Sequence, residues 1–181
     1  MSVFTNSASR SVQEAKAYTA AVLDLLGEAD AEEVLAGTTT SVRQAVHGLS
    51  AHQLAEPEAP GKWAIRDVLQ HLADSELVCG YRLRMVLAHD RPAITGYDQD
   101  LWAKRLRYEH ADVEEAIQDF AQLRQSNLRL LRRMSPADFK RVGVHSERGE
   151  ESVEHMLRLY AGHDLLHLRQ IARIRQVVED A

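Results

Sequence analysis

Two histidines near the end of the chain have a spacing that suits metal binding. The segment His163-Asp164-Leu165-Leu166-His167 places two imidazoles four residues apart. On a helix such side chains project about 40° apart and one turn along the axis, so both nitrogens can reach one ion. The pair alone is weak evidence, because histidines recur at this spacing by chance in many helices. The spacing therefore indicates a candidate metal site that needs a third ligand.

A third histidine, His71, flanks an apolar stripe earlier in the chain. The stripe has helical spacing and is expected to face the core; its residues are Ile65, Val68, Leu69, Leu72, Leu83 and Val86. A histidine at the edge of such a stripe is more often a structural residue than a ligand. From these residues alone, both interpretations stay open.

Three charged residues fall where the helical period predicts apolar ones, namely Glu76, Arg124 and Asp164. Burying any of them alone would cost several kcal/mol, so we predict that Arg124 pairs with Glu76, Asp164 or both. This pattern favours a structural ion-pair network over direct catalysis. Asp164 is nevertheless a candidate catalytic or ligand-orienting residue, because metal-binding histidines usually donate their second N–H to a carboxylate or carbonyl.

His145 is the second candidate catalytic residue. It lies in the segment before the last predicted helix, where it can face a pocket as an acid, a base or a weak ligand. We predict that the other histidines lie at the surface, because they project away from the His163/His167 direction or sit near helix ends and loops: His47, His52, His89, His110 and His155.

Long helices are needed to position these residues. Glycine and proline are sparse, β-branched runs are absent, and segments rich in Ala, Leu, Glu, Arg and Gln follow one another, which predicts an all-α fold. Caps and breakers predict helices over 12–26 (after a Ser11 cap), 30–48, 64–88, 112–134 and 150–178, with an ordered loop over 92–108 and a glycine-containing loop over 143–149. We predict one domain, 1–181, in which 1–29 form an N-terminal helical extension.

Composition limits the classes of partner. The net charge is −5 and basic residues are interleaved with acidic ones, so we expect no nucleic-acid partner. The single cysteine, Cys79, excludes an internal disulfide and a Cys-rich zinc site. We also predict a cytoplasmic protein with no membrane partner, because Met1 to Arg10 is polar and no run approaches the ~18 apolar residues that span a bilayer.

Two motifs in this order resemble the DinB/YfiT-like superfamily: PGKWAIRDVLQHLADSE over 60–76 and GHDLLHLRQI over 162–171. The likeness covers roughly 30–175, including 92–108 and 141–149. It implies a four-helix bundle with an additional N-terminal helical segment, in which His71, His163 and His167 are the metal ligands. It also implies a homodimer.

Three neutral imidazoles leave coordination positions open, as in catalytic metal sites. All-nitrogen ligation suits zinc or nickel, and also iron, cobalt, copper or manganese. The resemblance implies a metal-dependent enzyme, a thiol transferase or a hydrolase, acting on a small molecule. The alternatives are a stress- or damage-induced metal-binding protein without turnover and a scaffold whose metal only ties helices together. A closed site without an adjoining pocket would favour the scaffold.

Overall fold

The computed structural model describes the backbone of residues 12–180 and the side chains of residues 15–180. Its helices are α1 (Val12–Leu26), α2 (Ala31–Val46), α3 (Ala51–Ala55), α4 (Ile65–Ala88), α5 (Gln99–Arg105), α6 (Val113–Leu131) and α7 (Val153–Glu179). Short strands are β1 (Ala93–Ile94), β2 (Val142–His145) and β3 (Gly149–Ser152), and 3₁₀ turns lie at Tyr108–His110 and Asp138–Lys140. The fold is mostly helical, as predicted.

Capping side chains set where the long helices begin. Asp30 Oδ1 accepts the N–H of Glu33 at 2.8 Å at the start of α2, and Asp112 accepts the N–H groups of the first turn of α6. Ser152 caps α7 through the N–H of His155. These bonds satisfy N–H groups that lack a partner within the helix. The helices predicted to begin near residues 30 and 112 do so, whereas the predicted Ser11 cap lies outside the described residues.

A polar layer divides the bundle formed by α2, α4, α6 and α7. One apolar cluster contains the first halves of α4 and α6 and the end of α7, including Leu69, Phe120 and Ile171. The other contains the ends of α4 and α6 and the start of α7, including Leu83 and Met156. Helices α4 and α6 therefore run in the same direction, and the residues between them must return along the bundle.

The long connection between α4 and α6 is more structured than the predicted loop. It contains β1 and α5, and α5 begins where Asp98 Oδ1 accepts the N–H of Leu101 at 2.9 Å. The prediction of a loop over 92–108 is therefore wrong for these residues. A strand of two residues is too short to show the alternation of apolar and polar residues by which strands are recognised in a sequence.

A hairpin replaces the second predicted loop. Strand β2 pairs antiparallel with β3 and parallel with β1, which makes a small sheet beside the bundle. Gly143 is required where these strands meet α4, because an added Cβ would lie 2.4 Å from Ile94 Cδ1. The hairpin holds His145 at the end of β2, next to the start of α7.

Helix α1 packs against α7 through Ala15, Val22 and Leu26, all of which are buried. Its apolar face thus contributes to the bundle. Within residues 12–180, none of the helices combines the length and apolarity that crossing a bilayer requires.

Candidate metal centre

The three predicted ligand histidines converge between α4 and α7. Nε2 of His163 lies 3.1 Å from Nε2 of His71 and 3.1 Å from Nε2 of His167. His71 and His167 are buried, whereas 12% of the His163 side chain is exposed. The two α7 imidazoles meet because they lie one turn apart, and α4 supplies the third from the opposite side.

These separations fit a single ion. Nitrogens that each lie 2.0–2.1 Å from one ion, at angles of about 90–110°, are about 2.9–3.4 Å apart. The two Nε2–Nε2 distances that involve His163 fall in that range. One nitrogen from each of the three side chains lies within 4.8 Å of the others. The donor set and its spacing are therefore compatible with a divalent transition metal.

Burial keeps two of these imidazoles neutral. Desolvation, and then the neighbouring histidines, hold the pKa of His71 well below its usual value and lower that of His167 to about 3. Nδ1 of His167 lies 2.8 Å from Oε1 of Gln170 and donates to it, so Nε2 carries the lone pair that a metal requires. Sequence reasoning missed Gln170, although its position three residues after His167 on α7 was a usable signal.

His71 is held differently. Its ring packs against Trp63, with ring centroids 5.1 Å apart. Its Nδ1 is buried and has no hydrogen-bond partner within the described part of the chain. Packing rather than hydrogen bonding therefore orients this imidazole.

The predicted ion-pair network is present in the polar layer. Arg124 Nη2 donates to Glu76 Oε2 at 2.8 Å, and Nη1 donates to Asp164 Oδ2 at 2.7 Å and to the carbonyl of Leu35 at 2.7 Å. Asn127 Nδ2 donates to the other oxygen of Glu76 at 2.8 Å, a contact that the sequence did not suggest. The network joins α2, α4, α6 and α7 next to the histidines.

Asp164 lies behind His163 rather than in contact with open space. Burial alone would raise its pKa, but the charge and hydrogen bond of Arg124, together with the neighbouring His163, outweigh burial and hold the pKa at about 2. Its Oδ1 is 4.0 Å from Nδ1 of His163, which is too long for a hydrogen bond. The candidate catalytic Asp164 is thus an ionised partner of Arg124 whose negative charge lies near His163, one of the predicted ligands.

A cavity of about 100 Å³ adjoins the exposed edge of His163. It is lined by residues from α1, α4, the segment after β1, the hairpin and α7: Tyr18, Thr19, Val22, Ser75, Arg82, Gly96, Tyr97, Gln99, His145, Glu147, Arg148, Glu151, Met156, Leu159, Tyr160 and His163. Such a volume holds several water molecules or a small organic group. The three-histidine cluster therefore has a space beside it in which a substrate group can lie.

His145 lines this cavity, and its hydrogen bonding defines its tautomer. Nδ1 accepts the backbone N–H of Glu147 at 3.1 Å, so the neutral ring carries its proton on Nε2. Nε2 is buried and has no partner among the described residues. Burial, followed by the charge of Arg148, lowers the pKa of His145 to about 4. His145 is thus a hydrogen-bond donor rather than a base at neutral pH.

The remaining histidines lie mostly where predicted. His47, His52, His89 and His110 are exposed, whereas His155 is half-buried on α7. The prediction of a surface position for His155 is therefore only partly right, because the hairpin and α1 pack beside the first turn of α7.

The fold and the site together describe a helix bundle with a candidate metal site, in which three imidazoles converge beside a cavity. The comparisons with known proteins agree with this description. The sequence pattern of the DinB superfamily matches residues 34–171, and the chain belongs to this superfamily. This confirms the resemblance to the DinB/YfiT-like proteins.

Two relatives are similar over most of their length. YfiT of Bacillus subtilis, named provisionally as a metal-dependent hydrolase, is 30% identical over 143 residues, covering 78% of this chain and 80% of YfiT. A protein of Oceanobacillus iheyensis with the same provisional activity is 31% identical over 133 residues, covering 74% of this chain and 77% of the relative.

The solved structure of YfiT from Bacillus subtilis has a TM-score of 0.72 and 28% identity to this chain, and the match covers 79% of this chain and 84% of YfiT. That structure is described as an unusual four-helix bundle. The predicted four-helix bundle is thereby confirmed.

Proposed function

We propose that this chain is a metal-dependent hydrolase in which His71, His163 and His167 hold one divalent transition metal. The observation that carries the proposal is the convergence of three Nε2 atoms beside a cavity, at distances that suit one ion. The provisional names of its relatives support the same activity. Zinc or nickel is our proposed ion; iron, cobalt, copper and manganese are also compatible with three imidazoles.

The protein's own residues supply position and electrostatics. A bound divalent ion would act as a Lewis acid that lowers the pKa of a water or thiol beside it. Gln170 fixes the orientation of His167, and the Arg124 network holds α4 and α7 at the spacing that brings His71 to the other two imidazoles. The edge of His163 faces the cavity, where a substrate group can approach.

A second candidate is thiol transfer, and the engagement of three possible proton acceptors by other groups favours it. Asp164 is engaged by Arg124, Glu151 is engaged by Arg148, and Nδ1 of His145 is occupied by a backbone N–H. Hydrolysis needs water to lose a proton, whereas a thiol is a far stronger acid than water and needs less help from a base. A thiol co-substrate therefore suits these residues.

The cavity also bears on the non-catalytic alternatives. A scaffold whose metal only ties helices together would need no open space beside a ligand, yet the cavity reaches His163. A stress- or damage-induced metal-binding protein without turnover is the remaining alternative, and activity measurements separate it from an enzyme.

The test is a screen of ester hydrolysis, amide hydrolysis and thiol transfer with metal-replete and chelated protein. We expect turnover with the replete protein, loss on chelation, recovery on metal addition and loss in His163→Ala. The matched control is His155→Ala, which alters the same helix outside the cluster and retains activity. Turnover that persists after complete chelation, or no turnover by replete protein in any assay, contradicts the proposal.

A further inference from the structure

Arg82 is a buried cation whose recorded hydrogen-bond partners are neutral. It lies on α4 about three turns after His71, and it is 8% exposed. Nη1 donates to the hydroxyl of Tyr160 at 3.2 Å, and Nη2 donates to the carbonyl of Thr95 at 2.8 Å. In the part of the chain that the structure describes, this guanidinium makes no ion pair with a carboxylate.

The described residues give this charge a cation–π contact but no counter-ion, since the guanidinium carbon lies 6.0 Å from the centroid of the Tyr97 ring. A buried cation without a counter-ion costs several kcal/mol, and a neutral amide can donate to a carbonyl and a hydroxyl equally well. Arg124 in the same bundle shows the usual solution, because two carboxylates surround it. The charge of Arg82 therefore indicates an anion that the described residues do not supply.

The position of Arg82 shows where that anion would lie. Arg82 and His163 line the same cavity, and Tyr160 lies near both of them. The hydroxyl of Tyr160 accepts from Arg82, while its ring lies 6.4 Å from the His163 ring. The other cation of the cavity, Arg148, is already bound by both oxygens of Glu151, at 2.5 and 2.9 Å. Arg82 is thus the cavity's available cation among the described residues.

His145 provides a second, independent observation. Its Nε2–H is buried in the cavity wall without an acceptor among the described residues, and a buried donor without a partner is destabilising. An anion in the cavity can accept from both Arg82 and His145 after small side-chain movements. Arg82 on α4 therefore lacks a counter-ion and His145 on β2 lacks a hydrogen-bond acceptor, and one anion can supply both.

We propose that Arg82, assisted by the Nε2–H of His145, binds a carboxylate group of the substrate in the cavity beside the three histidines. A planar carboxylate matches the fork of guanidinium N–H groups and fits the small volume of the cavity. The inference rests on the proposed function only in assigning this carboxylate to the substrate of that site. The anion-binding site itself consists of Arg82 and His145, which lie outside the metal cluster.

Butyrate and butyramide are suitable probes, because they share their shape and differ in charge. Each is titrated by NMR into the full chain, both as purified and zinc-loaded, while the Nε–Hε resonance of Arg82 is followed. We expect butyrate to bind at least about tenfold more tightly than butyramide and to shift this resonance in both forms. Equal affinities, or an unshifted Arg82 resonance, overturn the proposal.

Variants complete the test. Arg82→Gln is expected to abolish the preference, so that butyrate and butyramide bind with about equal affinity. Arg82→Lys is expected to retain part of the preference because the charge remains. The matched control is Arg84→Gln, on the same helix but outside the cavity lining, which keeps the full preference. A preference that survives in folded Arg82→Gln overturns the proposal. If Arg82→Gln does not fold, the wild-type Arg82 resonance decides.

The readout also separates this inference from the proposed function. The Arg82 resonance reports binding of butyrate whether or not a metal ion is bound, whereas the ring resonances of His163 and His167 report zinc binding. A chain that binds butyrate at Arg82 but binds neither zinc, nickel nor another divalent transition metal would contradict the metal proposal alone.

Discussion

Burial is what keeps the imidazoles around this cavity unprotonated. His71, His145 and His167 all have pKa values below the usual value because water is excluded from their rings, and neighbouring positive or protonatable groups add to the effect. An imidazole that stays neutral keeps a nitrogen lone pair for a metal, or a single defined N–H for a ligand. The roles of these residues follow from their environment more than from their type.

His145 offers a direct test of this reasoning. We expect its imidazole to titrate near pH 4 in the folded chain and near 6.5 after unfolding in urea. NMR of the ring protons across pH 3.5–8 measures both values. A folded-state pKa near 6.5 would show that the ring is solvated and would remove the argument for its fixed tautomer.

The same shift has a consequence for stability. Because the folded pKa lies below the unfolded one, the unfolded chain binds the proton more readily as the pH falls. The contribution of neutral His145 to folding is therefore complete above about pH 6.5 and is lost as the pH falls through about 4. In urea melts, His145→Gln is expected to weaken the loss of stability in this pH window.

At the scale of helices, the Arg124 network joins the elements that carry the histidines. Arg124→Met is expected to cost about 3–5 kcal/mol of unfolding free energy, because Glu76 and Asp164 would remain buried without a cation. Replacing Glu76 by Gln in the same protein should recover part of the loss. Denaturant melts of the single and double mutants measure both effects.

The matched control for the Arg124 and Glu76 mutants is Arg129→Met. Arg129 is exposed on the same helix, so its replacement should change stability by less than about 0.5 kcal/mol. Strictly additive losses for Arg124→Met and Glu76→Gln would contradict a coupled network.

Gly162 tests the contact between α1 and α7. A Cβ at Gly162 would lie 2.2 Å from the backbone oxygen of Val22, so an alanine there must push α1 away. We expect Gly162→Ala to destabilise the chain by about 1–3 kcal/mol. Thermal or denaturant melts measure the change, and a neutral or stabilising effect would mean that α1 is not held at this distance.

Gly37→Ala provides the opposite expectation. Gly37 lies within α2 with nothing within 4 Å of an added Cβ, so alanine should stabilise the helix by up to about 1 kcal/mol. If Gly162→Ala destabilises the chain while Gly37→Ala stabilises it, helix propensity cannot explain the loss of stability at Gly162. That loss would then come from the contact between α1 and α7.

Element boundaries and pairings differ in how far the sequence specifies them. The starts of α2, α4 and α6 were predictable because caps, prolines and apolar spacing act locally, whereas α6 ends at Leu131 instead of 134 and α7 begins at Val153 instead of 150. The pairing of Arg124 was predictable because a charge in an apolar stripe must be paired. The hairpin was not, because β3 contains the charged pair Glu150 and Glu151 and shows no apolar alternation. Gln170 and Asn127 act through side-chain conformations that spacing leaves open.

At the scale of the whole molecule, α1 closes one side of the cavity as well as completing the bundle. Tyr18, Thr19 and Val22 line the cavity, while the buried residues of α1 contact α7. The apolar face of α1 thus packs within the bundle. A homodimer, which the sequence resemblance implies, would use other surfaces of the chain.

We predict a dimer in solution, with twice the 20.4 kDa mass of one chain. Light scattering coupled to size-exclusion chromatography at micromolar concentration measures this mass. A mass equal to one chain across that concentration range would rule the dimer out.

Metal content is the most direct test of the three-histidine site. Elemental analysis of the purified, dialysed protein should give about one divalent ion per chain, and His71→Ala, His163→Ala and His167→Ala should each lose most of it, because two imidazoles bind an ion far more weakly than three. The matched control, His155→Ala, should keep the ion. Full metal stoichiometry in any one of the three folded variants would show that this histidine is not a ligand and would contradict the site described above.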